Sequence, residues 1–325
     1  ACSIFCCNIH RCASGMLRLR RIIAQVDPGE KRCLQSSFRA SLTPVFVADV
    51  ANASEPAVLY ELIGHVLKLT LNRASNRNAM TLELLEAVRD AVNRAATDPQ
   101  VRCIVITGRG KNFCGGADFS GALSGGTTIK YHDSKITSGT MIGPETSFAM
   151  YNHFLSLLDV PVPIIGALQG HAIGGGFGLA LCCDIRVCHA QSSYGANFVR
   201  LGLHPGMATT YILPRLVGMA RATELLLTGR LFNGHEAEGM GLAVQVGETP
   251  SDVLDRAMEL AKQIAANAPV AVRWTKRSIY RHSEWNPRAA AWDEANLQSV
   301  TFHTADSKEG VKALLEKREP RFEGH

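Results

Sequence analysis

Gly170-His171-Ala172-Ile173-Gly174-Gly175-Gly176-Phe177-Gly178-Leu179-Ala180-Leu181-Cys182-Cys183-Asp184 follows the apolar run Pro163 to Leu168. The pattern reads as a buried strand that turns through a glycine cluster directly into a helix over Gly175–Cys183. Three glycines opening a helix are costly in propensity, so the turn has to be needed for something else. Glycine has no Cβ and lets backbone N–H groups come close to a ligand. A helix N-terminus adds unpaired N–H donors and partial positive charge. Together these features suit a developing oxyanion.

A second turn of the same kind lies upstream. Val101 to Thr107 is apolar and β-branched, a short buried strand. It runs into Gly108-Arg109-Gly110-Lys111-Asn112-Phe113-Cys114-Gly115-Gly116-Ala117-Asp118-Phe119. Two glycine turns that each end a strand provide the parts for aiming two backbone N–H groups at one oxygen.

With these turns stand Leu71-Asn72-Arg73, Asn78-Ala79, Gly202-Leu203-His204-Pro205-Gly206, Leu225-Leu226-Leu227-Thr228-Gly229-Arg230 and Glu309-Gly310-Val311 through Glu316-Lys317-Arg318. In this order and spacing, from about Tyr60 to His325, the chain resembles the enoyl-CoA hydratase/isomerase (crotonase) superfamily. The resemblance implies an α/β fold, a spiral of ββα units with a helical C-terminal region that trimerises the protein. It implies domains at 1–55 (leader and linker), 56–250 (acyl-CoA-binding core) and 251–325 (helical C-terminal region).

The resemblance also implies a chemistry. The backbone N–H groups of Gly115 and Gly175 are the expected catalytic donors, polarising a thioester carbonyl and stabilising its enolate. Ser75 and Arg77 fall on the expected path of the CoA nucleotide and pantetheine. Gly116, Ala117 and Asp118 flank the thioester, Gly174 lies beside the second donor, and Lys317 matches a tail lysine that meets CoA phosphate across subunits. Coenzyme A enters as part of the substrate, and no other cofactor or metal is expected.

The sequence departs from the family where hydratases carry the glutamates that activate water and deliver a proton. Those positions are Gly178 and Phe198 here, and the acid used by some isomerases falls on Gly206. Substitutes are Asn197, His171 and His204 near the turns, and Tyr131, His132, Asp133 and Glu145 in the Gly/Ser/Thr-rich stretch 120–147. That stretch lacks periodicity and reads as a long loop. Asp184 is expected to be structural, and Asp118 to cap a helix.

One reading is an enolate-stabilising enzyme, possible without a strong base if the substrate itself expels CO₂. The run Gln169 to Gly176, with Asn197-Phe198 and Pro205-Gly206-Met207, is similar to decarboxylating members of the superfamily. A second reading is a noncanonical hydratase or isomerase using a loop acid. A third is a catalytically silent acyl-CoA-binding protein.

The whole chain sets further bounds. Its 325 residues suffice for a large core, and no apolar run approaches the ~20 residues that span a bilayer. The net charge of +5 resides in the first 40 residues, where seven Lys/Arg outnumber Asp27 and Glu30, so the rest balances at zero. A neutral body argues against nucleic-acid binding. The acid-poor, arginine-bearing leader has the composition of a transit segment, pointing to a mitochondrion, with plastid or cytoplasm as alternatives. Half of the ten cysteines lie in that leader and half in apolar strand or helix contexts, without CxxC pairs. They are expected to be free packing residues, with Cys114 beside the first turn the one with a chance of reactivity. A homotrimer or hexamer is the expected assembly.

Overall fold

The computed structural model describes residues 55–117, 129–131, 134–136, 144–281 and 286–325. An antiparallel pair opens the described chain, β1 (Val58–Ile63) and β2 (Val66–Leu71), turning at Gly64-His65. Helix α1 (Leu82–Thr97) starts where Thr81 accepts a hydrogen bond from the Leu84 N–H, and it buries Leu84, Leu85, Val88, Ala91, Val92 and Ala95. Their three- and four-residue spacing makes one apolar stripe.

Strand β3 (Cys103–Gly108) then leads to β4 (Asn112–Cys114). Next come the short antiparallel pair β5 (Ile129–Tyr131) and β6 (Ser134–Ile136), and helix α2 (Pro144–Leu155). The stretch 120–147, expected as a long loop, is not loop throughout. It carries two three-residue strands, and a helix begins within it at Pro144.

The second glycine stretch follows as β7 (Ile164–Leu168), β8 (His171–Ile173) and α3 (Gly175–Leu181), then β9 (Ile185–His189) and β10 (Tyr194–Gly195). Helices α4 (Thr209–Val217), α5 (Met219–Thr228) and α6 (Gly234–Gly239) precede β11 (Gln245–Gly247). The C-terminal part is helical: α7 (Pro250–Ala265), α8 (Pro269–Arg281), α9 (Pro287–Thr301) and α10 (Ala305–Glu316). No helix among the described residues is long and apolar enough to cross a membrane.

The strands form two larger sheets. One has the order β1-β2-β3-β7-β9-β11 and is parallel beyond the β1–β2 pair; the other is β10-β8-β4, also parallel. The pairs β3–β4, β7–β8 and β9–β10 each give one strand to each sheet, so the chain climbs as a spiral of ββα units. Strand β3 is buried on both faces. Ile104 and Ile106 join the cluster that holds α1 and α3, while Cys103 and Val105 join Val253, Ala257, Ala261 and Ala265 of α7. Period-two alternation thus feeds two cores from one strand. Helix α7, which opens the expected C-terminal region, is therefore part of the sheet's packing, and Pro56–His325 is one compact unit.

Candidate active site

The two glycine turns stand at corresponding ends of adjacent spiral units, because β4 and β8 pair side by side. Two buried amides hold the first turn. Asn78 donates through Nδ2 to the carbonyls of Arg109 (3.1 Å) and Asn112 (2.8 Å), and its Oδ1 accepts from the Arg73 N–H at 2.8 Å. It sits at φ 51°, a left-handed conformation that asparagine tolerates. On the other side Gln169 donates from Nε2 to the same Asn112 carbonyl at 3.0 Å and accepts from the Gly108 N–H at 3.1 Å. Both residues stand in quoted motifs, yet no local pattern reveals their roles, since their partners are distant in sequence.

One expected donor is corrected by this geometry. The Gly115 N–H donates to the Arg77 carbonyl at 2.9 Å and is not free for an oxyanion. Gly116 has φ +88°, and a Cβ there would fall 2.6 Å from the Ile173 carbonyl oxygen and 3.3 Å from the Gly175 nitrogen. Only glycine meets that combination of conformation and contact. The Gly116 carbonyl accepts from the Met80 N–H at 2.8 Å, and Met80 forms a parallel bridge with Ala117.

At the second turn Gly174 has φ 55° and donates to the Gly195 carbonyl at 2.8 Å. The first turn of the helix closes with the Gly178 N–H on the Gly174 carbonyl at 3.0 Å, which leaves the Gly175 N–H without an intrahelical partner. Gly176 lies against the Cys114 carbonyl so closely that a side chain has no room. Close packing of α3 on β4 therefore requires glycine at Gly176, and that packing brings the turns together.

The positions of the absent acids are filled from elsewhere. A Cβ at Gly178 would meet Cβ, Sδ and Cε of Met207, each at 2.9 Å. Met207 is buried and held at φ 62°. At Gly206 the space is taken by Tyr151 of α2, whose Cζ lies 2.8 Å from the Cβ position and whose hydroxyl is closer still. Phe198, the third position, is half-buried against the core. The sulfurs of Met80 (2.7 Å) and Met207 (3.2 Å) stand over the Cβ position of Gly175. The space over the Gly175 Cβ position is therefore lined by thioethers.

The other sequence candidates separate clearly. His171 accepts through Nδ1 from the Ser193 N–H at 2.9 Å, a structural bond. His204 is exposed, while Asn197 brings Oδ1 to 3.3 Å from the Cβ position of Gly174. Asp184 accepts from the Ile164 N–H and the Tyr280 hydroxyl and pairs with Lys276, all at 2.7 Å, so it anchors α8. Ser75 and Arg77 are exposed beside the first turn, and Lys317 is exposed at the end of α10. Asp118, His132 and Asp133, and the side chains of Tyr131 and Glu145, lie outside the described residues. Among the described residues no three His, Cys, Asp or Glu are grouped as metal ligands.

Cys103, Cys114, Cys182, Cys183 and Cys188 are free and buried. Burial pushes the Cys114 thiol up to about 12, and its Sγ lies 3.1 Å from the Asn78 carbonyl. A thiol kept protonated and enclosed is a poor nucleophile. Iodoacetamide at mildly alkaline pH is expected to leave Cys114 unmodified in the native protein and to label it in denaturant. Peptide mass spectrometry reads both states, and rapid native labelling would mean that the turn opens.

Comparison with known proteins agrees with this architecture. The family model for enoyl-CoA hydratase/isomerase matches residues 62–325. The chain is 35% identical over 273 residues to enoyl-CoA hydratase EchA19 of Mycobacterium tuberculosis, covering 83% of this chain and 97% of that protein. It is 34% identical over 263 residues to the mitochondrial methylglutaconyl-CoA hydratase of Mus musculus, covering 80% of each. The crystal structure of enoyl-CoA hydratase from Bacillus anthracis superposes with a TM-score of 0.73 at 30% identity, covering 83% of this chain and all of that one.

Proposed function

We infer a reaction from one premise: the chain belongs to the enoyl-CoA hydratase/isomerase family and is an enzyme acting on CoA thioesters. In our reading the thioester oxygen accepts from the Gly175 N–H and from an N–H of Gly116 or Ala117, which replaces the Gly115 donor. The negative charge of an enolate develops on that oxygen, where fixed donors are worth most. The enolate arises when a malonyl-type thioester loses CO₂. The bond from Cα to the carboxylate breaks, its electron pair enters the enolate, CO₂ leaves, and a proton adds at Cα.

One observation carries this reading. Met207 and Tyr151 occupy the spaces where acids at Gly178 and Gly206 would stand, beside a Gly175 N–H with no intrahelical partner. Such a site stabilises an enolate without a carboxylate base. Ser75 and Arg77 line the CoA path in this reading, with Gly174, Ala117, Asp118 and Phe198 around the acyl group and Lys317 reaching CoA from a neighbouring subunit. The exposed Trp292, Phe302, Leu314 and Leu315 of the C-terminal part support association into a trimer or hexamer. The basic leader supports mitochondrial import, and relatives come from mitochondria and bacteria alike.

A hydratase or isomerase using Glu145 is the second reading, favoured by the hydratase names of the relatives and by the place of Glu145 in the first turn of α2. The deciding experiment gives the full chain crotonyl-CoA and malonyl-CoA in parallel and follows conjugated-thioester absorbance and CO₂. We expect CO₂ release without hydration. Rapid hydration that Glu145→Gln abolishes would establish the second reading instead. Acyl-CoA binding with turnover of neither thioester would mark a silent binding protein.

A further inference from the structure

We propose that the Tyr151 hydroxyl is the proton-transfer group of this site, delivering the proton to Cα of the enolate; this rests on the enolate reading above. Of the two side chains that fill the vacated acid positions, Met207 has no proton to give and Tyr151 has a phenol. Its ring is half-buried on α2 and packs 6.0 Å, centroid to centroid, from the buried Phe154. Among the described residues the hydroxyl has no hydrogen-bond partner.

The surface it faces is held firmly. The Gly206 carbonyl accepts from both the Thr209 hydroxyl (2.5 Å) and the Thr209 N–H (3.1 Å), and Thr209 is fully buried. The next residue, Met207, reaches within 3.2 Å of the Cβ position of Gly175. The phenol thus stands over Gly206, the chain neighbour of the Met207 that lies over Gly175.

The groups nearer the turns are otherwise engaged. His171 is bound to backbone, and Cys114 is enclosed and held protonated. The amide of Asn197 does not exchange a proton in acid–base chemistry. In the proposed step the Tyr151 O–H bond breaks, its proton bonds to Cα as the enolate pair returns to form the C–H bond, and the thioester carbonyl is restored. The phenolate then takes a proton from solvent water. Tyr151 over Gly206 therefore replaces a family carboxylate by a donor that reaches the same space from α2.

The test compares wild type with Tyr151→Phe on methylmalonyl-CoA in D₂O. For wild type we expect CO₂ release and deuterium on a single face of Cα in propionyl-CoA. For Tyr151→Phe we expect release slowed about 100-fold with KM nearly unchanged, and residual product deuterated on both faces. Unchanged rate and face selectivity in the variant would overturn the proposal. A second arm follows exchange of the Cα protons of propionyl-CoA with D₂O, which needs no CO₂ loss. Exchange by wild type and none by the variant would uphold Tyr151 even where methylmalonyl-CoA yields no CO₂, and would then reject decarboxylation alone. Absence of both CO₂ release and exchange in wild type would overturn both readings.

Discussion

Gly175→Pro is expected to lower thioester turnover by about two to three powers of ten while leaving the fold intact, the loss typical of one oxyanion donor. Gly175 is the first residue of α3, and its N–H has no intrahelical partner. Proline at a first helical position therefore costs the helix no hydrogen bond. The added ring atoms meet the sulfurs of Met80 and Met207, at 2.7 Å and 3.2 Å from the Cβ position, and thioether side chains adapt. Gly175→Ala brings the same Cβ but keeps the N–H, so it separates bulk from donor loss. The readout is kcat for both variants beside their acyl-CoA affinity. Equal loss in alanine and proline variants would refer the effect to crowding and remove Gly175 from the oxyanion hole.

The largest effect on stability is expected at the buried ion pair of Asp184 and Lys276. The two side chains are 14% and 8% exposed and their charged atoms are 2.7 Å apart. Lys276 also donates to the Val162 carbonyl at 3.1 Å, while burial and the neighbouring Asp184 charge hold the Tyr280 phenol protonated as a donor to that carboxylate. Lys276→Met strands a buried carboxylate with neutral donors only, a change that typically costs about 3–5 kcal/mol. Urea unfolding monitored by far-UV circular dichroism measures it. The double variant Lys276→Met with Asp184→Asn removes both charges and should recover a large part of the loss, which a double-mutant cycle isolates. A loss below about 1 kcal/mol for the single variant would show the pair to be screened as on a surface.

The same cluster explains why the resemblance implied a structural Asp184 while the sequence named none of its partners. Asp184 belongs to a motif that carries the resemblance, whereas Lys276 and Tyr280 come from α8, far along the chain. Helix α9 shows a different limit. None of its side chains is buried, so no apolar stripe marks it within the expected helical C-terminal region.

Local physics made the main outline readable from residues alone. Apolar runs ending in glycine clusters mark strands feeding helices, because burial selects the runs and backbone conformation selects the glycines. The two turns and the alternation of strands and helices were legible in that way, while the ββα spiral and the missing carboxylates at Gly178, Phe198 and Gly206 were implied by the family resemblance. Tertiary structure alone decided which N–H groups remain available and what fills the vacated positions. The Gly115 N–H is taken by the Arg77 carbonyl, Met207 closes over Gly178, and Tyr151 reaches Gly206 from α2. Each of these is a contact between segments distant in sequence, set by how β4, α3 and α2 pack, and no residue pattern along one segment encodes it.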